Sequence, residues 1–216
     1  MRRMTMGLLV ACLVVGGAMP AAGAGFLENR LGIGAWAGYG EIAGDSDRNV
    51  AFDFDTEPAY GGSLTWYAYR FLSFELSAGG TRFDLSRATA TVPAFDLGEV
   101  EQVAALFTIR IHPRLDGMFV PYLGLGLGHY RHDLDISGRA RQALGAGTSA
   151  TLDNSYGIHG SVGAEYFLGR NIALHLDLTY VWHRADLEIA AGGGAPTVYQ
   201  LDLSGARGLT GVKYYF

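Results

Sequence analysis

The sequence predicts an all-β fold, an eight-stranded antiparallel up-and-down transmembrane β-barrel. Three observations carry this: eight segments alternate apolar and polar residues, the connections between them alternate short and long, and the chain ends on an amphipathic strand closing with Phe216. Membrane-spanning barrels alternate apolar-out and polar-in over segments of about 10 residues, with short turns on one side and long loops on the other. In the final run, Leu209 to Phe216, one face holds Thr210, Val212, Tyr214 and Phe216, all able to meet lipid. The other holds Gly211, Lys213 and Tyr215.

The segments follow in order. The first sets Leu31, Ile33, Ala35, Ala37 and Tyr39 against Gly32, Gly34, Trp36, Gly38 and Gly40. The second sets Leu64, Trp66 and Ala68 against Ser63, Thr65, Tyr67 and Tyr69, and the third sets Phe74, Leu76, Ala78 and Gly80 against Glu75, Ser77, Gly79 and Thr81. Val103, Ala105, Phe107, Ile109 and Ile111 oppose Ala104, Leu106, Thr108 and Arg110 in the fourth. Leu123, Leu125 and Leu127 oppose Tyr122, Gly124, Gly126, Gly128 and Tyr130 in the fifth. The sixth sets Ile158, Val162, Ala164 and Tyr166 against His159, Ser161, Gly163 and Glu165. The seventh sets Leu174, Leu176, Leu178, Tyr180 and Trp182 against His175, Asp177, Thr179 and Val181. The eighth is the C-terminal run; Leu201 and Leu203 upstream have the parity opposite to Val212, which predicts a bulge between Gly205 and Gly208, because one extra residue flips the face.

No apolar face carries an Asp, Glu, Lys or Arg, whereas the opposite faces hold Glu75, Arg110, Glu165, Asp177 and Lys213 among Gly, Ser, Thr and Tyr. A soluble sandwich would turn a Lys- and Glu-rich face to water. Small and hydroxylated residues suit a lumen that side chains just fill, as in a barrel of about eight strands. An outer face in hydrocarbon can be wholly apolar, provided closure leaves no unpaired strand edge. Residues 70–72, 113–118 and 169–171 form short connections; residues 42–58, 85–101, 132–153 and 186–197 form long polar ones, placed outside if the chain starts in the periplasm.

The N-terminus agrees with that route. Met1-Arg2-Arg3 is a basic n-region. Gly7 to Ala18 is an apolar core too short to span a bilayer as a helix, which takes about 20 residues. Ala22-Gly23-Ala24 supplies small residues for cleavage, so residues 1–24 are expected to be a cleaved signal peptide and residues 25–216 one outer-membrane barrel domain. Leu9-Val10-Ala11-Cys12 resembles a lipobox, but the apolar stretch before Cys12 is very short and the residues after it continue the core. Removal of residues 1–24 leaves no cysteine, which excludes disulfides and thiol chemistry. The formal net charge of −5 gives no sign of nucleic-acid binding. With 32 glycines and 49% apolar residues, the glycines belong to tight places inside strands rather than to disorder.

Ala105-Leu106-Phe107-Thr108-Ile109-Arg110 with Val120-Pro121-Tyr122-Leu123-Gly124-Leu125-Gly126-Leu127-Gly128 resembles the fourth-strand, turn and fifth-strand passage of OmpW-like barrels. Tyr156-Gly157, Gly163 to Phe167 and Ala173 to Tyr180 are similar to the sixth and seventh strands of the same broad group, which takes in OmpX-like and OmpA-like barrels. The resemblance implies a non-enzymatic, monomeric barrel of the cell outer membrane that anchors or interacts at the surface and needs no cofactor. It also implies the alternative of a narrow passive pore for small solutes or hydrophobic molecules. Its partners would be outer-membrane lipid, lipopolysaccharide and, through Val212, Tyr214 and Phe216, the barrel-assembly machinery.

Pairing the strands about the loop centres places Glu75 opposite Arg110, Glu165 opposite His175 and Asp177 opposite Lys213, all in the periplasmic half of the lumen. These six residues are candidates for an ionic gate or for a structural plug. His159, Ser161 and Glu165 share a strand face and could be read as an ester-hydrolysing set acting on lipid A. Residues two apart on a strand are about 6.6–7 Å apart, which is long for a hydrogen bond of about 3 Å. His129, His132 and His183 near the outer rim could meet a metal, but without tight spacing they read as solvated loop residues. Trp66, Tyr166, Tyr180 and Trp182 suit interfacial girdles. The first long loop is acidic (Asp45, Asp47, Asp53, Asp55, Glu57), suited to divalent cations. The third is basic (Arg131, His132, Arg139, Arg141), suited to lipopolysaccharide phosphates.

Overall fold

A computed structural model describes residues 27–42, 46–47, 50–56, 58–89, 95–113, 117–145, 147–190 and 194–216. The expected signal peptide and lipobox lie outside them. Among the described residues, twelve strands and one helix follow in chain order: β1 (Leu31–Ile42), β2 (Ser46–Asp47), β3 (Val50–Thr56), β4 (Ala59–Tyr69), β5 (Leu72–Thr89), β6 (Phe95–Ile111), β7 (Phe119–Ile136), α1 (Gly138–Leu144), β8 (Ser149–Leu152), β9 (Ser155–Phe167), β10 (Ile172–Ala190), β11 (Thr197–Asp202) and β12 (Gly205–Tyr215). Eight of these close a ring in the order β1–β4–β5–β6–β7–β9–β10–β12, and β12 pairs back with β1, every pair antiparallel. Closure satisfies both edges of every wall strand, as hydrocarbon requires.

The faces obey the alternation. On β10, Leu174, Leu176, Leu178, Tyr180 and Trp182 are exposed outward while His175, Asp177, Thr179 and Val181 are buried inside. Trp66 and Tyr180–Trp182, whose rings lie 4.7 Å apart, stand on the outside as expected of girdles. The apolar band on β10 from Ile172 to Trp182, at about 3.3 Å per residue and a tilt of about 40°, is about 25 Å tall, the height of a lipid-facing band.

Above that band the pattern inverts on the same strands. The outward positions become Arg82 and Asp84 on β5, Glu101 and Glu99 on β6, Arg131, Asp133 and Asp135 on β7, and Arg184 and Asp186 on β10. The inward positions become apolar: Phe83, Leu85, Leu97, Val100, Leu152, Leu187, Leu201 and Leu203 pack into one buried cluster. This collar is built for water outside and a dry core inside, the reverse of the wall below.

The inversion corrects two expectations. No bulge separates Leu203 from Val212: one register runs from Arg184–Asp202 on β11 through Val181–Gly205 on β12. Leu201 and Leu203 simply face inward like Lys213, into the apolar collar. The long connections are also largely strand. β5 and β6 extend to Thr89 and from Phe95, β3 pairs with β5, and β8 and β11 pair with β10. In the third connection, Ser137 caps α1 by accepting from the Ala140 amide at 3.1 Å. One further residue departs: a register shift between Tyr67 and Tyr69 turns Tyr69 outward, stacked on Phe71, instead of into the lumen.

At the periplasmic mouth, Leu27 enters a buried cluster with Tyr67, Val120, Phe167, Ala173 and Tyr215. The Asn29 amide donates to the Tyr67 carbonyl, and the Arg30 guanidinium donates to the carbonyls of Tyr215 (2.7 Å), Phe216 (2.7 Å) and Arg170 (2.5 Å). Charge-assisted bonds are worth about 1.5–3 kcal/mol each when sheltered and less when exposed, as two of these are. Arg30→Ala is therefore expected to cost about 1–2 kcal/mol in total, read from urea unfolding in lipid vesicles, and to free Leu27 from the mouth.

Candidate functional site

The lumen is filled in tiers. Directly above the Leu27 cluster lie five ionised side chains, each 7% exposed or less: Glu75 on β5, Arg110 on β6, Glu165 on β9, Asp177 on β10 and Lys213 on β12. Arg110 holds Glu75 with two parallel contacts, Nη2 to Oε1 at 2.5 Å and Nη1 to Oε2 at 2.5 Å. The Lys213 ammonium bridges two carboxylates, at 2.5 Å from Glu75 Oε2 and 2.7 Å from Glu165 Oε1. Tyr67 and Tyr215 donate to the other oxygen of Glu165 at 3.0 and 2.7 Å. Tyr122 donates to Asp177 at 2.7 Å, Thr179 donates to its second oxygen, and the Arg110 guanidinium lies 4.3 Å above the Tyr122 ring and 3.6 Å from Asp177. Thr65 donates to Glu75 at 2.8 Å. Three carboxylates face two cations, and the hydroxyl groups supply the remaining donors, which is how charges persist when buried.

The six expected residues thus share the periplasmic half of the lumen, but the pairs are partly different. Glu75 and Arg110 do meet, although in register Glu75 faces Thr108 and Arg110 faces Ser73, because β5 and β6 pair about a point earlier than the midpoint of the apparent loop, as the Arg87–Phe95 pair shows. Glu165 and His175 are register partners, yet Glu165 bonds to Lys213 and two tyrosines instead. Asp177 faces Leu209, and Lys213 faces Ala173, four residues away; the expected Asp177–Lys213 pair is not formed because one unbroken register, from Ile189–Thr197 on β11 to Ile172–Tyr214 on β12, sets Asp177 beside Leu209. The ester-hydrolysing set is not assembled: His159 Nε2 is bonded to Thr108 Oγ1 at 2.9 Å, Ser161 Oγ has no hydrogen-bond partner among the described residues, and Glu165 is committed to the ionic tier. His132 and His183 are buried inside with parallel rings 6.1 Å apart, not solvated in a loop, while His129 packs on Tyr156. The acidic first loop has no described side chains.

Comparison with known proteins fits this geometry. Residues 8–205 match the model of the outer membrane protein beta-barrel domain. The chain belongs to that family. Among solved structures, the outer membrane protein OprG from Pseudomonas aeruginosa superposes with a TM-score of 0.74 at 18% identity, over 88% of this chain and 96% of that one. AlkL, solved in DMPC lipid bilayers, gives 0.65 at 17% identity, over 93% and 96%. The E. coli outer membrane protein W gives 0.55 at 20% identity, over 88% and 98%. No curated protein matches the sequence significantly. At these identities the likeness is one of fold, an OmpW-like barrel of the outer membrane.

Three features of the barrel's lumen were not singled out in the sequence. The tyrosines Tyr67, Tyr122 and Tyr215 sit on the inward parity, but only their bonds reveal them as donors to the carboxylates. Leu27 lies before the first alternating segment. Arg207 falls where the bulge was expected and instead points inward at mid-height, opposite Thr179 and Gly40.

Proposed function

We propose that this is a non-enzymatic outer-membrane barrel with a closed lumen, whose work is done by its lipid-facing wall and its extracellular collar. The carrying observation is that the lumen is stopped three times: by Leu27 and its apolar neighbours, by the five-charge tier, and by the apolar cluster within the collar. Removing one tier leaves two, so a through-path for solutes has no support in the packing. The outward positions of Val212, Tyr214 and Phe216 support their reading as a barrel-assembly signal. Exposed Arg131 and Arg139 on the extracellular side support contact with lipopolysaccharide phosphates. Delivery to the periplasm by a signal peptide and a monomeric state complete the reading.

Single-channel recording of the refolded protein in a planar bilayer tests it, with folding verified beforehand. Both the wild type and Arg110→Ala are expected to be silent. Discrete conductance in the wild type would sink the closed-lumen reading, and steps appearing only in Arg110→Ala would make the ionic tier alone the gate of a narrow pore.

A further inference from the structure

Between the ionic tier and the apolar collar the lumen is not filled. A cavity of about 40 Å³ lies there, with walls that include Trp36, Ser77, Gln102, Ala104, Val181 and Arg207. One water needs roughly 10–15 Å³ on this measure, so the space exceeds a single water and suits a molecule of a few heavy atoms.

Its one charged wall residue is Arg207. Among the described residues, no carboxylate stands within ion-pair distance of it; every carboxylate of the tier below is bonded to Arg110, Lys213 or a hydroxyl group. Among the described residues the guanidinium has one hydrogen bond, from Nη2 to Gln102 Oε1 at 2.9 Å, and it lies 5.9 Å from the Tyr130 ring. That bond belongs to a chain of donors with a single consistent direction. His132 Nδ1 donates to the Asp153 carbonyl at 2.9 Å, which leaves its Nε2 to accept from Gln102 Nε2 at 3.0 Å, which in turn leaves Gln102 Oε1 to accept from Arg207. The chain fixes where the guanidinium points, but every member is neutral, so the positive charge is oriented without being balanced. Arg207 is half-buried, so solvent reaches this unbalanced cation only in part, which makes it costly to keep. It sits beside a space that a counter-ion could enter.

The geometry points to this cavity as a binding site for a small aliphatic carboxylate. The ligand's carboxylate meets Arg207, whose planar fork matches it in two parallel bonds. The Ser77 hydroxyl lies in the same wall, and the short tail lies against Trp36, Ala104 and Val181. A single guanidinium above a tier that holds three carboxylates and two cations selects a monoanion over a dianion. The site goes beyond the closed-lumen reading and is independent of it, since a conducting barrel could also hold the ligand.

Trp36 supplies the readout. Trp66 and Trp182 face outward, so a Trp66→Phe/Trp182→Phe background leaves Trp36 as the reporter. Propionate titrated into this protein, refolded in neutral detergent, is expected to give a saturable change in Trp36 fluorescence that 1-propanol at equal concentration does not give. Arg207→Met is expected to lose the response by at least tenfold in apparent affinity while raising the melting temperature of the ligand-free barrel, because it removes an unbalanced charge. Ala104→Leu, which fills the cavity and keeps the guanidinium, is expected to lose the response too, and serves if Arg207→Met does not refold. A response retained in either variant, or matched by chloride at the same concentration, overturns the assignment.

Discussion

Lys213→Met is expected to destabilise the barrel by about 3–5 kcal/mol, the usual cost of removing one partner from a buried charge network. Among the described residues, Lys213 is the only group that touches both Glu75 and Glu165 closely, and it is 1% exposed. Without it, Glu75 keeps Arg110 and Thr65. Glu165 keeps two tyrosine hydroxyls and an Arg110 nitrogen at 3.9 Å. The large cost belongs to Glu165, whose charge is then left fully buried without its cation. Adding Glu165→Leu to Lys213→Met should therefore recover most of the loss, since a buried pair replaced on both sides by apolar groups is often neutral. Adding Asp177→Asn should recover little, because Asp177 is bonded elsewhere. Urea unfolding of the four proteins in lipid vesicles measures this directly. Equal rescue by both second substitutions would show that the tier acts as a diffuse pool of charge rather than as the specific bridge described.

Leu176→Arg is expected to cost about 2–4 kcal/mol, and Val198→Arg no more than about 1 kcal/mol, in the same assay. Both side chains are apolar and face outward, 54% and 43% exposed. They differ in solvent. Leu176 stands near the middle of the band between Ile172 and Trp182, while Val198 lies on β11 beside Glu188, above the level at which outward residues become charged. Equal costs at the two sites would place the membrane boundary elsewhere.

Much of this architecture is legible in the sequence because lipid imposes a simple rule on one face. Leu174, Leu176 and Leu178 could only face hydrocarbon, so the strands, their parity and the lumen residues followed. Register did not, since it depends on where a hairpin turns. The turns lie inside segments that look like long polar loops, and Asp177 was paired with the wrong residue for that reason. The collar was missed because its outward Glu99, Glu101, Asp133 and Asp135 lie in stretches that read as long polar loops unless the chain is already known to be extended above the bilayer. Arg207 stayed hidden for a related reason: Leu201 and Leu203 suggested a face change that the strand does not make. Contacts such as Tyr67 with Glu165 join residues on strands far apart in the chain, and no local spacing encodes them.

The inverted collar also gives the molecule a direction in time. Once its strands are paired, Arg82, Arg131, Asp133 and Arg184 form a charged ring around a dry core, wider than any single strand and unable to pass back through hydrocarbon. Carrying that ring back through hydrocarbon would strip water from every one of its charges, so the collar works as a one-way stop: once it has formed, the finished barrel stays with its apolar wall in the bilayer and its charged ring outside.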